Sequence, residues 1–177
     1  NILFPTDGSE GGDAVLDHVL DIASAHDATV HILNVADTTQ DSVTQIGGEV
    51  VDVLERQGED IVAETADRAK QRRVSTVTEV LQGGVPETIT GYATEYDIDL
   101  IAMPTHGRTG LKRMLLGSIT ESVVRQAPVP VLTLRPDEDR QYPYENVLVP
   151  TDGSECADAA LETGIDVATG SGATLHV

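Results

Sequence analysis

Aromatic residues, lysine and cysteine are all scarce in this chain of 177 residues. Aromatic residues make up 3% of the sequence, and lysine occurs only at positions 70 and 112. The single Cys156 excludes an intramolecular disulfide. No apolar stretch is long enough to span a bilayer and no signal-peptide pattern opens the chain. We therefore expect a cytoplasmic protein without membrane partners.

Positive charge is also scarce. Eleven lysine and arginine residues stand against 30 aspartate and glutamate residues, which gives a net charge of −19. A field of that sign disfavours nucleic acid and anionic membranes as partners. The absence of any run of five like charges favours a solvated acidic surface over acidic tails or a cation-binding patch. An Asp-rich, Lys-poor surface resembles those of proteins from salt-loving microbes, in which salt screens the self-repulsion.

The chain contains an internal repeat. The hexapeptide at 5–10 recurs unchanged at 150–155. When the sequence is aligned with itself at this offset of 145 residues, apolar runs fall on apolar runs. Acidic positions also coincide, since Asp13, Asp17 and Asp21 fall on Asp158, Glu162 and Asp166. Cys156 falls on Gly11, which indicates a filler residue rather than a nucleophile. One complete unit is thus followed by the opening of a second copy.

The repeat predicts the domain organisation. We expect one whole domain over 1–135, a linker over 136–145 that is polar and contains prolines, and the strand–helix–strand start of a second domain over 146–177. The sequence begins at Asn1 without Met and stops at Val177 just inside a strand. We therefore expect it to be part of a longer gene product.

Short apolar runs alternate with amphipathic segments along the first unit. Strands are predicted at 2–4, 29–35, 74–81, 100–103 and 129–134, with helices after Ser9, over about 49–72, over about 86–95 and over 118–127. This alternation predicts an α/β fold, a doubly wound parallel five-stranded sheet of order 3-2-1-4-5 with helices on both faces. Pro130 favours an edge position for strand 5. Gly58 inside the second helix is expected to cost that helix on the order of 1 kcal/mol.

In that strand order, ligands bind outside the carboxyl ends of strands 1 and 4. Gly107 and Gly117, on the loop after strand 4, let backbone N–H groups approach an anion closely. Ser118 adds a hydroxyl at a helix N-terminus, where the helix dipole favours phosphate. The same loop holds three of the eleven cations, Arg108, Lys112 and Arg113. The pattern favours a phosphate-binding loop over a loop with ordinary turn glycines and solvated cations.

Two further polar residues belong to the same edge of the sheet. Asp7 follows strand 1 and either accepts from an adenine amino group, a ribose hydroxyl or a hydrated metal, or caps the following helix. His106 has no paired acid in the sequence, which indicates a polar filler rather than a base. Neither a P-loop nor a G-x-G-x-x-G dinucleotide fingerprint is present.

These residues resemble the universal stress protein family over 1–135, and again over 146–177. The marks of the resemblance are the segment 5–9 that ends strand 1, the turn at 84–86 before a helix, and the loop after strand 4. ATP-binding members carry G-x2-G-x9-G-[ST] in that loop. Gly107, nine further residues and then Gly117-Ser118 match it, whereas Pro104 stands at the first glycine. If that glycine donates its N–H to the nucleotide, the proline costs roughly 1.5–3 kcal/mol of binding; if it only lets the ribose approach, the cost is steric.

The resemblance implies a stress-response protein that binds ATP or a related adenine nucleotide, with Mg²⁺ or Mn²⁺ on the phosphates. Its role would be sensing or regulatory, with at most slow ATP hydrolysis and no catalytic residue identified. By the resemblance Asp7 and the backbone of Val35 flank adenine. The remaining site residues line the base and ribose (Pro5, Thr6, Met103) or hold phosphates (Gly107, Gly117, Ser118, Ile119), with Pro104 and Arg108 beside them.

Two other functions remain open. One is a dimerising interaction module of the same family that binds no nucleotide. The other is a nucleotidyl- or phosphoryl-transferring enzyme that uses Asp7 and a metal, although the sequence shows no evident base–nucleophile pair. The resemblance also implies association through strand 5 (Val129 to Leu134), either between two chains or between the two copies in one chain.

Overall fold

A computed structural model of the chain describes residues 1–39, 48–105 and 116–177. The chain forms two compact units, residues 1–138 and residues 139–177. Among the described residues, no helix is both long enough and apolar enough to cross a membrane.

The first unit alternates strands and helices. Its elements are β1 (Ile2–Pro5), α1 (Glu10–Ala25), β2 (Val30–Asp37), α2 (Gly48–Gln71), β3 (Thr76–Gly83), α3 (Val85–Glu95), β4 (Leu100–Pro104), α4 (Ser118–Gln126) and β5 (Val131–Leu134). All strand pairs are parallel, and the sheet order is β3-β2-β1-β4-β5. The predicted α/β fold and strand order are confirmed.

Helix α1 shows how the sequence fixes these elements. Ser9 precedes the helix in an extended conformation, and its hydroxyl accepts a hydrogen bond from Gly12 N–H at 3.3 Å. A serine in this position satisfies one of the donors that a helix leaves unpaired at its start. Apolar residues at helical spacing then form the face that the sheet buries, including Val15, Leu16, Val19, Leu20 and Ala23.

Helices cover both faces of the sheet. Helices α3 and α4 pack on one face over a core cluster of Leu3, Leu33, Ile89, Tyr92, Ala93, Ile98, Ile101, Met103 and Val123. Helix α2 packs on the other face against β2 and β3, and ion pairs join it to α1. This arrangement leaves the carboxyl ends of the strands as the edge where the connecting loops meet.

Two sequence predictions need correction. Strand 5 was predicted to begin at residue 129, but β5 begins at Val131. Pro130 has no N–H to give to the ladder, and it contributes only its carbonyl oxygen, which accepts from Ile101 N–H at 3.0 Å. Strand 3 spans 76–83 rather than 74–81, because Val74 N–H donates to the Ala69 carbonyl of α2 and not to a neighbouring strand. The edge position of strand 5 agrees with the prediction.

Gly58 in α2 has a packing role that the sequence did not reveal. A Cβ atom built on Gly58 would lie 2.6 Å from Asn34 Oδ1 and 2.8 Å from Val80 Cγ1. Both distances are shorter than real Cβ contacts, so any side chain there would force the Asn34 and Val80 side chains or the helix itself to shift. The same glycine that lowers the helix propensity of α2 allows the helix to lie this close to β2 and β3.

The second unit contains β6 (Asn146–Leu148), α5 (Glu155–Ser171) and β7 (Thr174–His176), with β6 and β7 paired in parallel. Helix α5 ends at Gly172, whose φ of 72° is the left-handed conformation common after a helix. Apolar side chains at Leu148, Ile165, Val167 and Val177 are exposed.

Candidate functional site

The two central strands separate at their carboxyl ends. Strands β1 and β4 pair only at Ile2↔Leu100 and Leu3↔Ile101. Each strand continues beyond that point, β1 to Pro5 and β4 to Pro104, and stays paired with its other neighbour. A crevice therefore opens between β1 and β4 at the point where the strand order reverses, which is where open α/β sheets bind ligands.

Both strands that border the crevice end in proline. The N–H of Thr6 donates to a β2 carbonyl at 2.9 Å, and the N–H of Thr105 donates to a β5 carbonyl at 2.8 Å. Because backbone groups alternate sides along a strand, the nitrogens of Pro5 and Pro104 face the crevice. Neither proline removes a ladder hydrogen bond, which explains why both are tolerated in central strands.

The loop after β1 is held by its own side chains. Thr6 Oγ1 accepts from Gly8 N–H at 3.2 Å, and Asp7 Oδ1 accepts from Ser9 N–H at 3.0 Å. Gly8 has a φ of 68°, which favours glycine. The Asp7 carboxylate therefore forms an Asx turn, and the residue that caps α1 is Ser9. Helix α1 is thus capped by Ser9 and not by Asp7.

Two contacts from outside the loop hold it in place. Asn34 lies in β2 and is 7% exposed, and its Nδ2 donates to the Thr6 carbonyl at 2.8 Å. A Cβ atom built on Gly8 would lie 2.9 Å from Ile61 Cγ1 of α2, so the loop also packs closely against that helix. Sequence reasoning missed Asn34, although a single amide inside a buried apolar strand is a signal that was available.

Helix α4 begins directly beside the end of β4. Gly117 N–H donates to the Thr105 carbonyl at 2.7 Å, and Thr120 Oγ1 donates to the Pro104 carbonyl at 3.1 Å. The residue before the helix is Gly117, which has no side chain to accept from the first-turn amides, whereas serines cap α1 and α5. The first-turn N–H groups, with the helix dipole behind them, suit an anion.

The structure brings most of the predicted residues to this edge. Pro5, Thr6, Met103 and Pro104 are buried, Asp7, Val35 and Gly117 are partly exposed, and Ser118 and Ile119 are exposed at the start of α4. Met103 belongs to the core cluster and is 5% exposed. The predicted phosphate-loop residues Gly107 and Arg108, with His106, Lys112 and Arg113, lie outside the described residues.

Metal-binding side chains do not gather at the crevice in the part of the chain that the structure describes. Over residues 1–39, 48–105 and 116–177, no group of three or more His, Cys, Asp or Glu side chains could hold a metal ion.

Comparisons with known proteins agree on one family. A model of the universal stress protein family matches residues 1–135 and 143–177. A universal stress protein of Methanocaldococcus jannaschii is 33% identical over 137 residues, which cover 76% of this chain and 81% of that protein. A solved universal stress protein from Lactobacillus plantarum has a TM-score of 0.69 at 28% identity and covers 76% of this chain and 97% of its own. One from Archaeoglobus fulgidus has a TM-score of 0.82 at 26% identity, with 99% of this chain and 65% of that chain covered.

Two more distant structures show the same fold with a nucleotide. A universal stress protein in complex with cAMP has a TM-score of 0.60 at 24% identity, covering 77% of this chain and 97% of that one. A family protein from Arabidopsis thaliana with AMP bound has a TM-score of 0.58 at 14% identity, covering 85% and 95%. At these identities the likeness shows the fold alone. From the family match and the relative of M. jannaschii, the chain belongs to the universal stress protein family.

Proposed function

We propose that the first unit binds ATP or a related adenine nucleotide in the crevice between β1 and β4. The observation that supports this most strongly is the glycine-capped start of α4, which two hydrogen bonds hold at the end of β4. Phosphate favours such a helix start. The same fold carries cAMP in one protein and AMP in another. The protein would act as a sensing or regulatory stress protein with at most slow ATP hydrolysis.

In this proposal each side of the crevice holds one end of the nucleotide. Asp7 and the backbone of Val35 flank adenine, and Thr6 lies beside the ribose. The phosphates lie beside Gly117 and against the N–H groups of Ser118 and Ile119 at the start of α4, with Mg²⁺ or Mn²⁺ on the phosphates. Gly107 and Arg108 would complete the phosphate contacts from the preceding loop.

Substitution of Gly117 tests the phosphate end. Its φ of −73° and ψ of 158° are open to any residue, so Gly117→Val is expected to fold. The branched side chain would occupy the space that the phosphates need, and calorimetric titration with Mg-ATP should show no binding. Gly91→Val is the matched control, because a Cβ at Gly91 meets nothing within 4 Å. Equal ATP affinity in wild type and Gly117→Val would contradict the proposal.

Pro104→Gly tests the missing donor. Since the Pro104 nitrogen faces the crevice, glycine would present an N–H there. If the nucleotide uses that donor, ATP binding should tighten about tenfold or more. Unchanged affinity would show that no donor is needed at this position.

We also propose that β5 mediates self-association, either between two chains or between two copies of the repeat. Among the described residues β5 pairs with β4 alone, and Val131, Leu132 and Thr133 are half-buried. An apolar edge strand of this kind invites pairing with another strand. Val131→Lys should weaken association by placing a charge at that edge. Light scattering that finds wild type monomeric at high salt and high concentration would contradict the version between chains.

One measurement distinguishes the proposed nucleotide binding from the alternative function, a dimerising module that binds no nucleotide. Purified protein is denatured by heat or acid, and the released small molecules are analysed for adenine nucleotide. Bound nucleotide supports the proposed function. Protein that releases none and does not bind added ATP, while it still self-associates, supports the alternative.

A further inference from the structure

We propose that Asn34 is a positioning residue that fixes the adenine end of the nucleotide site. This inference rests on the proposed function. In it, the Asn34 amide sets the position of the Thr6 carbonyl, and therefore of Asp7, relative to the backbone of Val35.

The first observation is how Thr6 is held. Its N–H donates to the Leu33 carbonyl at 2.9 Å, and its carbonyl accepts from Asn34 Nδ2 at 2.8 Å. Both backbone groups of Thr6 are thus bonded to consecutive residues of β2. The first of these bonds is made by the backbone, whereas the second depends on one side chain. Beyond Thr6 the chain turns away from the sheet, and the Asn34 side chain reaches past the strand ladder to bond this loop.

The second observation is that α2 fits closely around this amide. The absence of a side chain at Gly58 leaves room for Asn34 Oδ1, which a Cβ atom there would approach to 2.6 Å. Three residues later in the same helix, Ile61 packs against Gly8 of the loop. Residues three apart share a helix face, so one face of α2 supports both the amide and the loop. The amide has little freedom to shift.

The third observation concerns the cost of burying a polar group. Asn34 is 7% exposed in a strand whose neighbours Ile32 and Leu33 are each 1% exposed. An apolar side chain would fill such a position without desolvating an amide. The hydrogen bond of the Asn34 side-chain amide goes to the loop and not to the strand ladder, so it stabilises the position of the loop rather than the sheet. Val35, the next residue of β2, lies at the adenine end of the proposed site.

Discrimination between bases is the property that such positioning should control. Adenine and guanine differ in their polar groups, and a site separates them only when its own polar groups are correctly placed. Loss of the Asn34 amide should therefore reduce the preference for ATP over GTP. A merely structural residue would weaken both nucleotides by the same factor.

The test is Asn34→Asp, which keeps the shape of the side chain, removes its donor and adds a negative charge. ATP and GTP carry the same phosphate charge, so the added charge alters both affinities by the same factor. We therefore expect the ratio of ATP to GTP affinity to fall about tenfold or more, as measured by calorimetric titration. Ile32→Val is the matched control, because it alters the same face of β2 two residues earlier. It should leave the ratio of ATP to GTP affinity unchanged.

Gly58→Ala is the second variant and keeps the Asn34 amide chemically intact. Its methyl group should displace the amide and produce the same loss of preference. This variant decides the question if Asn34→Asp does not fold. A wild type that binds ATP and GTP equally, or folded Asn34→Asp that weakens both equally or neither, overturns the proposal.

Failure of the proposed function would look different. A wild type that binds no nucleotide contradicts nucleotide binding, and hydrogen exchange of the ligand-free protein then tests the inference by itself. The amides of Gly8 and Ser9 should exchange faster in Asn34→Asp than in Ile32→Val. Equal exchange in the two variants overturns the positioning role.

Discussion

The hexapeptide at 5–10 and its copy at 150–155 form the same turn in different surroundings. The threonine hydroxyl accepts from the glycine N–H at 3.2 Å in both copies, and the aspartate Oδ1 accepts from the serine N–H at 3.0 Å in both. The glycine has a φ of 68° in the first copy and 79° in the second. In each copy the serine then caps the following helix.

Burial separates the two copies. Thr6 is 9% exposed, whereas Thr151 and the rest of the second turn are exposed. Leu3 on β1 is fully buried, while its counterpart Leu148 on β6 is 73% exposed. The turn therefore depends on six residues and their hydrogen bonds. The crevice depends on β4, α2 and α4, and residues 139–177 contain no equivalents of these elements.

The largest expected difference in stability between the copies comes from the burial of apolar side chains. Leu3→Ala should lower the free energy of unfolding of the first unit by about 2–5 kcal/mol, because it leaves a cavity in the core. Leu148→Ala should change stability by less than about 0.5 kcal/mol, since the side chain is already exposed. Urea denaturation followed by circular dichroism measures both. Equal costs for the two variants would show that Leu148 is covered in solution.

The next difference concerns a histidine that occupies the same position in each copy. In the first copy His31 is buried, and its Nδ1 lies 3.0 Å from the hydroxyl oxygen of Tyr92. In the second copy His176 is exposed, and its Nε2 lies 3.0 Å from Asn146 Oδ1. Tyr92→Phe should cost about 1–3 kcal/mol, because it leaves a buried ring nitrogen without its partner. Asn146→Ala should cost less than about 0.5 kcal/mol in the same denaturation experiment.

Alkaline pH tests the same pair in another way. Burial raises the pKa of Tyr92 from 10.0 to about 12. Because the pKa in the folded state exceeds the ordinary value, the resulting stability is complete below pH 10 and is lost as the pH rises towards 12. Wild type should lose on the order of 2 kcal/mol more than Tyr92→Phe over that range. Parallel pH profiles for the two proteins would contradict this assignment.

The smallest expected changes in the free energy of unfolding come from charges on the helix surface. They have opposite signs in the two copies. Asp17 on α1 lies 3.3 Å from an Arg68 nitrogen and 3.4 Å from an Arg72 nitrogen, both on α2. Its counterpart Glu162 on α5 has no ion pair among the described residues and lies four residues from Asp158 and from Asp166.

Asp17→Asn should therefore destabilise the protein by about 0.5–1 kcal/mol at low salt. Glu162→Gln should instead stabilise by about 0.2–0.5 kcal/mol, since it relieves repulsion between like charges four residues apart. Thermal unfolding at low and high salt measures both effects, and both should shrink as salt is added. A loss of stability in Glu162→Gln would indicate a cation partner that the described residues do not include.

What the sequence could predict depended on how local each signal was. The apolar runs and the proline in strand 5 predicted the sheet order and its edge, and the hexapeptide predicted the loop after β1. The sequence marks Asn34 as an amide in an apolar strand, but its hydrogen bond to Thr6 was not predictable from local patterns, because Thr6 lies 28 residues away in sequence. From the sequence, Gly58 was expected only to weaken its helix. Its packing role was missed because the atoms that require a glycine there belong to β2 and β3.

The two prolines at the crevice have a consequence for the sheet itself. In a parallel pair each strand donates N–H groups to the other at even spacing. Pro5 and Pro104 offer no N–H towards the gap, so neither can donate to a ladder that would extend the pairing of β1 and β4 past Leu3 and Ile101. A closed sheet at this point would lack those two hydrogen bonds, whereas the open crevice asks for neither of them.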